Sequence, residues 1–503
     1  MSSTDPQRPN VLFVVADDLG SWALGAYGND EAITPSIDEL SNQGVLFQNF
    51  FCTSPVCSPA RASLLSGQIP SQHGVHDWIA GRHSGADGTD YLAGRQTLYA
   101  IAASSGYRCA LAGKWHLGAS DRPRDGFVHW FAHQSGGGPY FGAPMFRGTT
   151  PVTVDEYLTD AVAYDAVTFL RQETLGNSDP FWLHLNFTAP HSPWAGAHPS
   201  DLVDMFEDCA FSSCPQGVTH PWLLVHNAEV AEALQNPAES LKGYFAAVTG
   251  MDRALGRVLS CLEELKLRES TLVIFLSDNG FNAGHHGIWG KGNGTYPQNM
   301  FDTSVKVPAI MSQPGRIPSD VASDALLSGY DLFPTLLEVL DFTTTHPEAG
   351  SETVRPGRSF AHLLGITPKS SARKDQAPNS NDFVVVFDEY GPVRMIRTKE
   401  WKYIKRNGGW QGELYDLQAD PNETNDLSGS DAHAGIRDDL DARLASWFAN
   451  WADPHYDGWS LPVTGLGQLS PLRSGESSQF RALPSEDQPP TETPATVPHG
   501  ERP

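Results

Sequence analysis

The chain has 503 residues, enough for one large domain and a smaller one packed on it, and its 40 % hydrophobic and 18 % charged content is that of an ordinary globular protein. Its 34 Lys and Arg against 59 Asp and Glu leave a net charge of −25, which repels nucleic-acid phosphates and anionic membrane surfaces and argues against both as partners. No apolar run reaches the roughly 18 residues that a membrane helix needs, and the six cysteines contain no C-x-x-C pair and are too sparse for a disulfide scaffold.

In chain order, the polar start over 1–10 lacks the basic and apolar regions of a secretory signal, so the location reads as cytoplasmic as the sequence stands, or periplasmic or secreted where a leader has been removed. Short apolar runs predict strands over 11–16, 107–112, 181–187, 271–276 and 307–311. Between them, Thr34 followed by Pro35 starts a helix, Thr153 and Glu156 form a capping box for a helix to about 173, and further helices cover 240–265 and begin near Asp331, with Pro334 in the first turn. The alternation predicts an α/β fold: a mostly parallel central sheet sandwiched by helices. After a polar stretch over about 367–382, short strands over 383–387, 393–398 and 401–404 and a helix near 436–447 predict a smaller α+β subdomain with an antiparallel sheet. The expected organisation is therefore a catalytic domain over 1–365, a C-terminal antiparallel-sheet subdomain over 366–455, and an extended or partly disordered tail over 456–503. Cys209 and Cys214 are spaced either for a small loop disulfide or for packing as free thiols, and no oligomeric state is legible.

Open parallel sheets bind ligands at the carboxyl ends of their strands. Here those ends carry Asp17-Asp18, Lys114-Trp115-His116, Pro190-His191 and Asp278-Asn279-Gly280. Asp17, Asp18, Asp278 and Asn279 are hard oxygen donors that suit one Ca2+ or Mg2+ ion. Either pair alone would serve as readily as a turn or a helix cap; their convergence on one rim favours the metal. The segment from Cys57 to Gly67 reads as a helix with Pro59 in its first turn and Gly67 as its C-terminal cap. Cys57 and Arg61, four apart, then share one face near the free amides and positive dipole end, a place suited to an anion.

Cys57-Ser58-Pro59-Ala60-Arg61 resembles the C-x-P-x-R signature of the formylglycine-dependent type I sulfatases, of the alkaline phosphatase-like superfamily. The resemblance extends to Asp17-Asp18-Leu19-Gly20, the run from Gly113 to Gly118, Ala189-Pro190-His191, Ser277-Asp278-Asn279-Gly280 and Gly290-Lys291-Gly292, and, in the small domain, Trp401-Lys402-Tyr403 and the run from Glu413 to Leu417. It covers about residues 9 to 450 and implies a sulfuric ester hydrolase releasing inorganic sulfate. The resemblance further implies that a formylglycine-generating enzyme converts Cys57 to formylglycine, whose hydrate carries one hydroxyl on the cation as nucleophile and a second whose deprotonation expels sulfate. The implied ligands are Asp17, Asp18, modified Cys57, Asp278 and Asn279. Arg61 would stabilise the modified residue, Lys114 and His116 would contact it, with His116 as the base, and His191 and Lys291 would bind sulfate and protonate the leaving oxygen.

Ser135 and His286 are read as substrate contacts, and Trp194, Trp222 and Trp289 as possible stacking surfaces. A sulfated carbohydrate is the expected substrate class, on grounds of the resemblance. The alternatives are a phosphonate or phosphate ester hydrolase of the same superfamily and a non-catalytic sulfoglycan-binding protein. Asn279, where two-metal members of the superfamily commonly place a His, favours a single metal.

Overall fold

A computed structural model describes residues 8–86, 88–173, 179–225, 227–342, 355–366, 381–388, 393–472 and 479–482. The expected strands are present as β1 (Asn10–Ala16), β3 (Arg108–Gly113), β7 (Phe181–Asn186) and β8 (Thr271–Ser277), joined by β2 (Val45–Phe51), β4 (Phe127–His133), β5 (Ala143–Arg147) and β6 (Thr150–Val154). β8, β1, β7, β3 and β4 lie side by side and parallel, so their carboxyl ends share one rim. Antiparallel strands complete both flanks, giving a mixed, mostly parallel sheet.

Alternate residues of β1 point to opposite faces, and both faces are apolar: Val11, Phe13 and Val15 join one core cluster, and Leu12, Val14 and Ala16 the other. This two-sided burial is what a helix-covered parallel strand requires. The long helices Leu158–Glu173 and Pro237–Glu264 pack on the second of these faces. The smaller unit is a four-stranded antiparallel sheet, Val384–Asp388, Val393–Arg397, Trp401–Arg406 and Glu413–Asp416, backed by the helix Ala434–Trp451.

Some expectations are corrected. The segment over 307–311 is two strands, Lys306–Val307 and Ala309–Ser312, parted by Pro308, which has no amide proton for a ladder. Thr153 does not cap a helix: it pairs with Pro144 in the β5–β6 hairpin, and the helix begins at Leu158. The tail expected over 456–503 is packed where it is described. Asp457 and Trp459 lie against Arg394 of the antiparallel sheet, and farther on Gln468 bridges Ile79 and Phe480. The polar stretch over 367–380 and the tail residues 473–478 and 483–503 lie outside the described residues. Cys209 and Cys214 are free thiols.

Candidate active site

Each parallel strand delivers its functional side chain as it ends. β1 runs into Asp17 and Asp18, β3 into Lys114 and His116, and β8 into Asp278 and Asn279; the loop after β7 brings His191. Asp18 (φ 63°) and His116 (φ 54°) are held in the left-handed region, which costs a non-glycine residue about 1–3 kcal/mol and recurs at functional sites. The helix Cys57–Ser66 starts at the same rim, fully buried, and stops at left-handed Gly67, where a Cβ would lie 2.6 Å from the Cβ of Phe333.

The carboxylate oxygens of Asp17, Asp18 and Asp278 approach within 4.8 Å of one another, and all three residues are buried. Three cations face them. Arg61 Nε donates to Asp278 Oδ2 (2.8 Å), Lys291 Nζ donates to Asp18 Oδ1 (2.5 Å), and Lys114 Nζ donates to Asp17 Oδ2. Lys291 Nζ also lies 3.6 Å from Cys57 Sγ, and His191 Nε2 lies 3.8 Å from Asp18 Oδ2. Asn279 Nδ2 donates to Asp18 Oδ1 (2.8 Å).

Four buried polar atoms of this cluster have no hydrogen-bond partner: Asp17 Oδ1, Asn279 Oδ1, His116 Nδ1 and Arg61 Nη2. Unpartnered buried polar atoms are rare in native proteins, and their concentration at one site marks the place of a ligand or ion. The Asp17, Asp18 and Asp278 carboxylates are a group of hard oxygen donors of the kind that can hold a divalent cation. Three carboxylates against three side-chain cations balance locally, so a dication would turn the pocket net positive within a chain of net charge −25.

Burial alone would raise the Asp17 and Asp18 carboxyls. Lys114 and His191 outweigh it at Asp17, and Lys291 and His191 at Asp18, so both are held below the usual range. At Asp278 burial and the adjacent Asp17 prevail over Arg61, and its carboxyl is pushed up. Burial also pushes the Cys57 thiol up, only partly offset by Lys114 and Lys291, and keeps it a neutral thiol. Burial and Lys114 push the His116 imidazolium down, so the ring is neutral. Its Nε2 lies 3.0 Å from the carbonyl of Ile79; a neutral ring donating there carries its lone pair on Nδ1, the atom without a partner. Lys291 is pushed down by burial, but Asp18 more than reverses this and it stays a cation.

Asp17, Asp18, Cys57, Arg61, Lys114, His116, His191, Lys291, Asp278 and Asn279 are thus brought together as expected from the sequence. The other two expected residues make contacts of their own. Ser135 Oγ donates to the carbonyl of Gly137 (2.8 Å) within its own loop. His286 stacks flat on Phe301, with 3.6 Å between ring centres, toward the C-terminal sheet, where Phe301 meets Tyr415. Trp194 and Trp289 are buried against each other, with 5.6 Å between ring centres, and offer no surface for stacking.

The loop of Ser135 contributes in another way. A Cβ at Gly136 would lie 2.1 Å from His116 Cε1, and one at Gly137 2.8 Å from His191 Cε1, so two glycines let backbone lie against both imidazoles. The run of glycines was the available sign, although which side chains it admits depends on the fold. The Ile79 carbonyl and Tyr140, whose hydroxyl donates to the His191 carbonyl (2.8 Å), were not singled out from the sequence.

A family model described as Sulfatase matches residues 9–342, across the whole of this rim. The chain belongs to the sulfatase family. It is a sulfuric ester hydrolase of the alkaline phosphatase-like fold. A second model, described as N-sulphoglucosamine sulphohydrolase, C-terminal, matches residues 284–450 of the sulfatase. Among curated relatives it is 28 % identical over 463 residues to an ulvan-active sulfatase of Formosa agariphila, covering 89 % of this chain and 83 % of the relative. It is 26 % identical over 484 residues to a choline-sulfatase of Rhizobium meliloti, covering 88 % and 87 %. A solved structure in complex with its substrate D-glucosamine-2-N,6-O-disulfate superposes with a TM-score of 0.72 at 21 % identity, over 90 % of this chain and 99 % of that one. Among the described residues, no helix is long and apolar enough to cross a membrane.

Proposed function

We propose that this sulfatase releases inorganic sulfate from a sulfated carbohydrate, using formylglycine made from Cys57 and one Ca2+ ion held by Asp17, Asp18, Asp278, Asn279 and the modified residue 57. The observation that carries the reading is the convergence of three carboxylates, an unpartnered amide oxygen and three cations around Cys57 at the start of a buried helix. A thiol is a soft donor among hard oxygens and is here neutral besides, so the unmodified cysteine suits neither the ion nor the attack. The ion and the aldehyde hydrate, once present, supply an activated hydroxyl nucleophile and a route for sulfate to leave without attack by water.

The chain's own residues do the rest. Arg61 holds Asp278 as a ligand through its 2.8 Å ion pair, a task for a side chain that stays protonated. Lys114 and Lys291 bring positive charge to the sulfate, and Lys291 and His191, both beside Asp18, are the groups that would protonate the leaving oxygen. His116, neutral and with Nδ1 unpartnered, would accept the proton of the modified residue's second hydroxyl as sulfate leaves. Mg2+ is the second choice of ion, since the all-oxygen donor set suits it as well. A formylglycine-generating enzyme is the partner required during maturation.

The carbohydrate reading draws on the ulvan-active relative and on further relatives named for N-acetylglucosamine-6-O-sulfate and N-acetylgalactosamine-6-sulfate. Sulfate release from sulfated monosaccharides and oligosaccharides, choline sulfate, an aryl sulfate and a phosphonate ester, measured side by side, tests it. The expected result is the highest kcat/KM on a sulfated sugar. Preference for choline sulfate or the phosphonate ester would overturn the carbohydrate assignment.

A further inference from the structure

The packed C-terminal segment meets the nucleophile and its base from the far end of the chain. Val463 closes a small apolar cluster with Val56 and Cys57. Thr464 and Gly465 accept from Gln298 Nε2 (3.3 Å) and Asn293 Nδ2 (3.1 Å), side chains of the loop that carries Lys291. Asp77 Oδ2 accepts from the amides of Gly465 (3.1 Å) and Gly467 (3.0 Å).

Gln468 is the centre of this contact. It is fully buried, and its Oε1 accepts from the amides of His76 (2.9 Å) and Asp77 (3.3 Å) while its Nε2 donates to the carbonyls of Gly74 (3.0 Å) and Ser470 (2.9 Å). Its backbone adds two bonds, donating to the carbonyl of Trp78 (2.8 Å) and accepting from the amide of Ala80 (3.1 Å). The loop over 74–80 is therefore gripped on both sides of Ile79. Ile79 in turn receives Nε2 of His116 on its carbonyl (3.0 Å), and its amide donates to Ser58 Oγ (3.1 Å), which itself donates to the carbonyl of His116 (3.0 Å).

We propose that Gln468 is a positioning residue for the hydrolysis. By clamping the 74–80 loop it keeps the Ile79 carbonyl where it fixes the proton of His116 on Nε2, so that Nδ1 is the free base. A ring nitrogen's partner sets the tautomer of the other nitrogen, and a base in the wrong tautomer cannot accept the proton however well it is placed. The C-terminal segment is then part of the catalytic centre: the site is complete only when residues 463–470 are seated. This rests on the role given to His116 above and adds to it the device that holds its tautomer.

Gln468→Met keeps length and removes every side-chain hydrogen bond. In the full-length, calcium-loaded protein it is expected to lower kcat by about tenfold to hundredfold, the usual cost of losing a group that orients a functional histidine, with KM within about twofold. Two further readouts separate positioning from general damage. Hydrogen exchange at the amides of residues 76–80 should quicken, and long-range proton–nitrogen spectra of histidine-labelled protein, with His116 assigned against His116→Gln, should change from one tautomer to a mixture. A kcat within twofold of wild type, or a loss of kcat with a single unchanged His116 tautomer, would overturn the proposal. Should Gln468→Met not fold, Gln468→Glu decides by the same readouts, since it keeps the acceptor and loses the donation: lowered kcat with mixed tautomers supports the proposal, and wild-type kcat with one tautomer overturns it. A wild type that releases no sulfate overturns the underlying reading and the proposal together.

Discussion

Removing Arg61 should destabilise the protein in a way that calcium repairs. Its guanidinium lies 2.8 Å from Asp278, with side chains 4 % and 0 % exposed, and Lys114 and Lys291 are already committed to Asp17 and Asp18. In Arg61→Met, Asp278 is left as a buried carboxylate without its ion-pair partner, which costs about 3–5 kcal/mol. At about 2.1 cal/mol/K of unfolding entropy per residue, 503 residues give about 1 kcal/mol/K, so the melting midpoint falls by about 3–5 °C. A bound dication supplies the missing positive charge, so calcium should offset much of the loss. Thermal unfolding followed by circular dichroism, once with chelator and once with saturating calcium, reads both effects. The expected loss is full with chelator and less than half as large with calcium. An equal loss in the two conditions would show that no cation sits against Asp278, and a loss under about 1 °C would refute the buried pair.

Other outcomes follow from the same geometry. Asp278→Ala should lower bound calcium, measured by atomic emission on dialysed protein, along with the rate; full occupancy would remove Asp278 from the ligand set. Gly136→Ala places a Cβ 2.1 Å from His116 Cε1, so the ring or the loop must shift by about 1 Å, and kcat should fall by about 10²-fold with the fold intact by circular dichroism; an unchanged kcat would mean that the ring's place is immaterial. Cys57→Ser should release no sulfate while melting near the wild-type midpoint, because it removes chemistry and little core volume, and wild-type turnover would contradict the role of residue 57.

Most of the rim was legible in the sequence because an open parallel sheet delivers residues by a simple rule: each strand, recognised by its apolar run, points whatever follows it at one edge. Asp17, Lys114 and Asp278 needed only that rule. What failed depended on contacts across the fold. His286 has left-handed backbone (φ 54°) and its ring goes to Phe301, which no local pattern announces. Thr153 carries a sound capping signature, yet the hairpin partner over 143–147 claims it. The partners of the extended tail were not legible: Gln468 bonds to His76 across 392 residues of sequence, and such a partner is invisible until the fold brings it near.

The central claim is the identity of residue 57. Mass spectrometry of the peptide containing it, from fully active protein, should find an aldehyde or its hydrate in place of the thiol. An unmodified cysteine at full activity would contradict the claim.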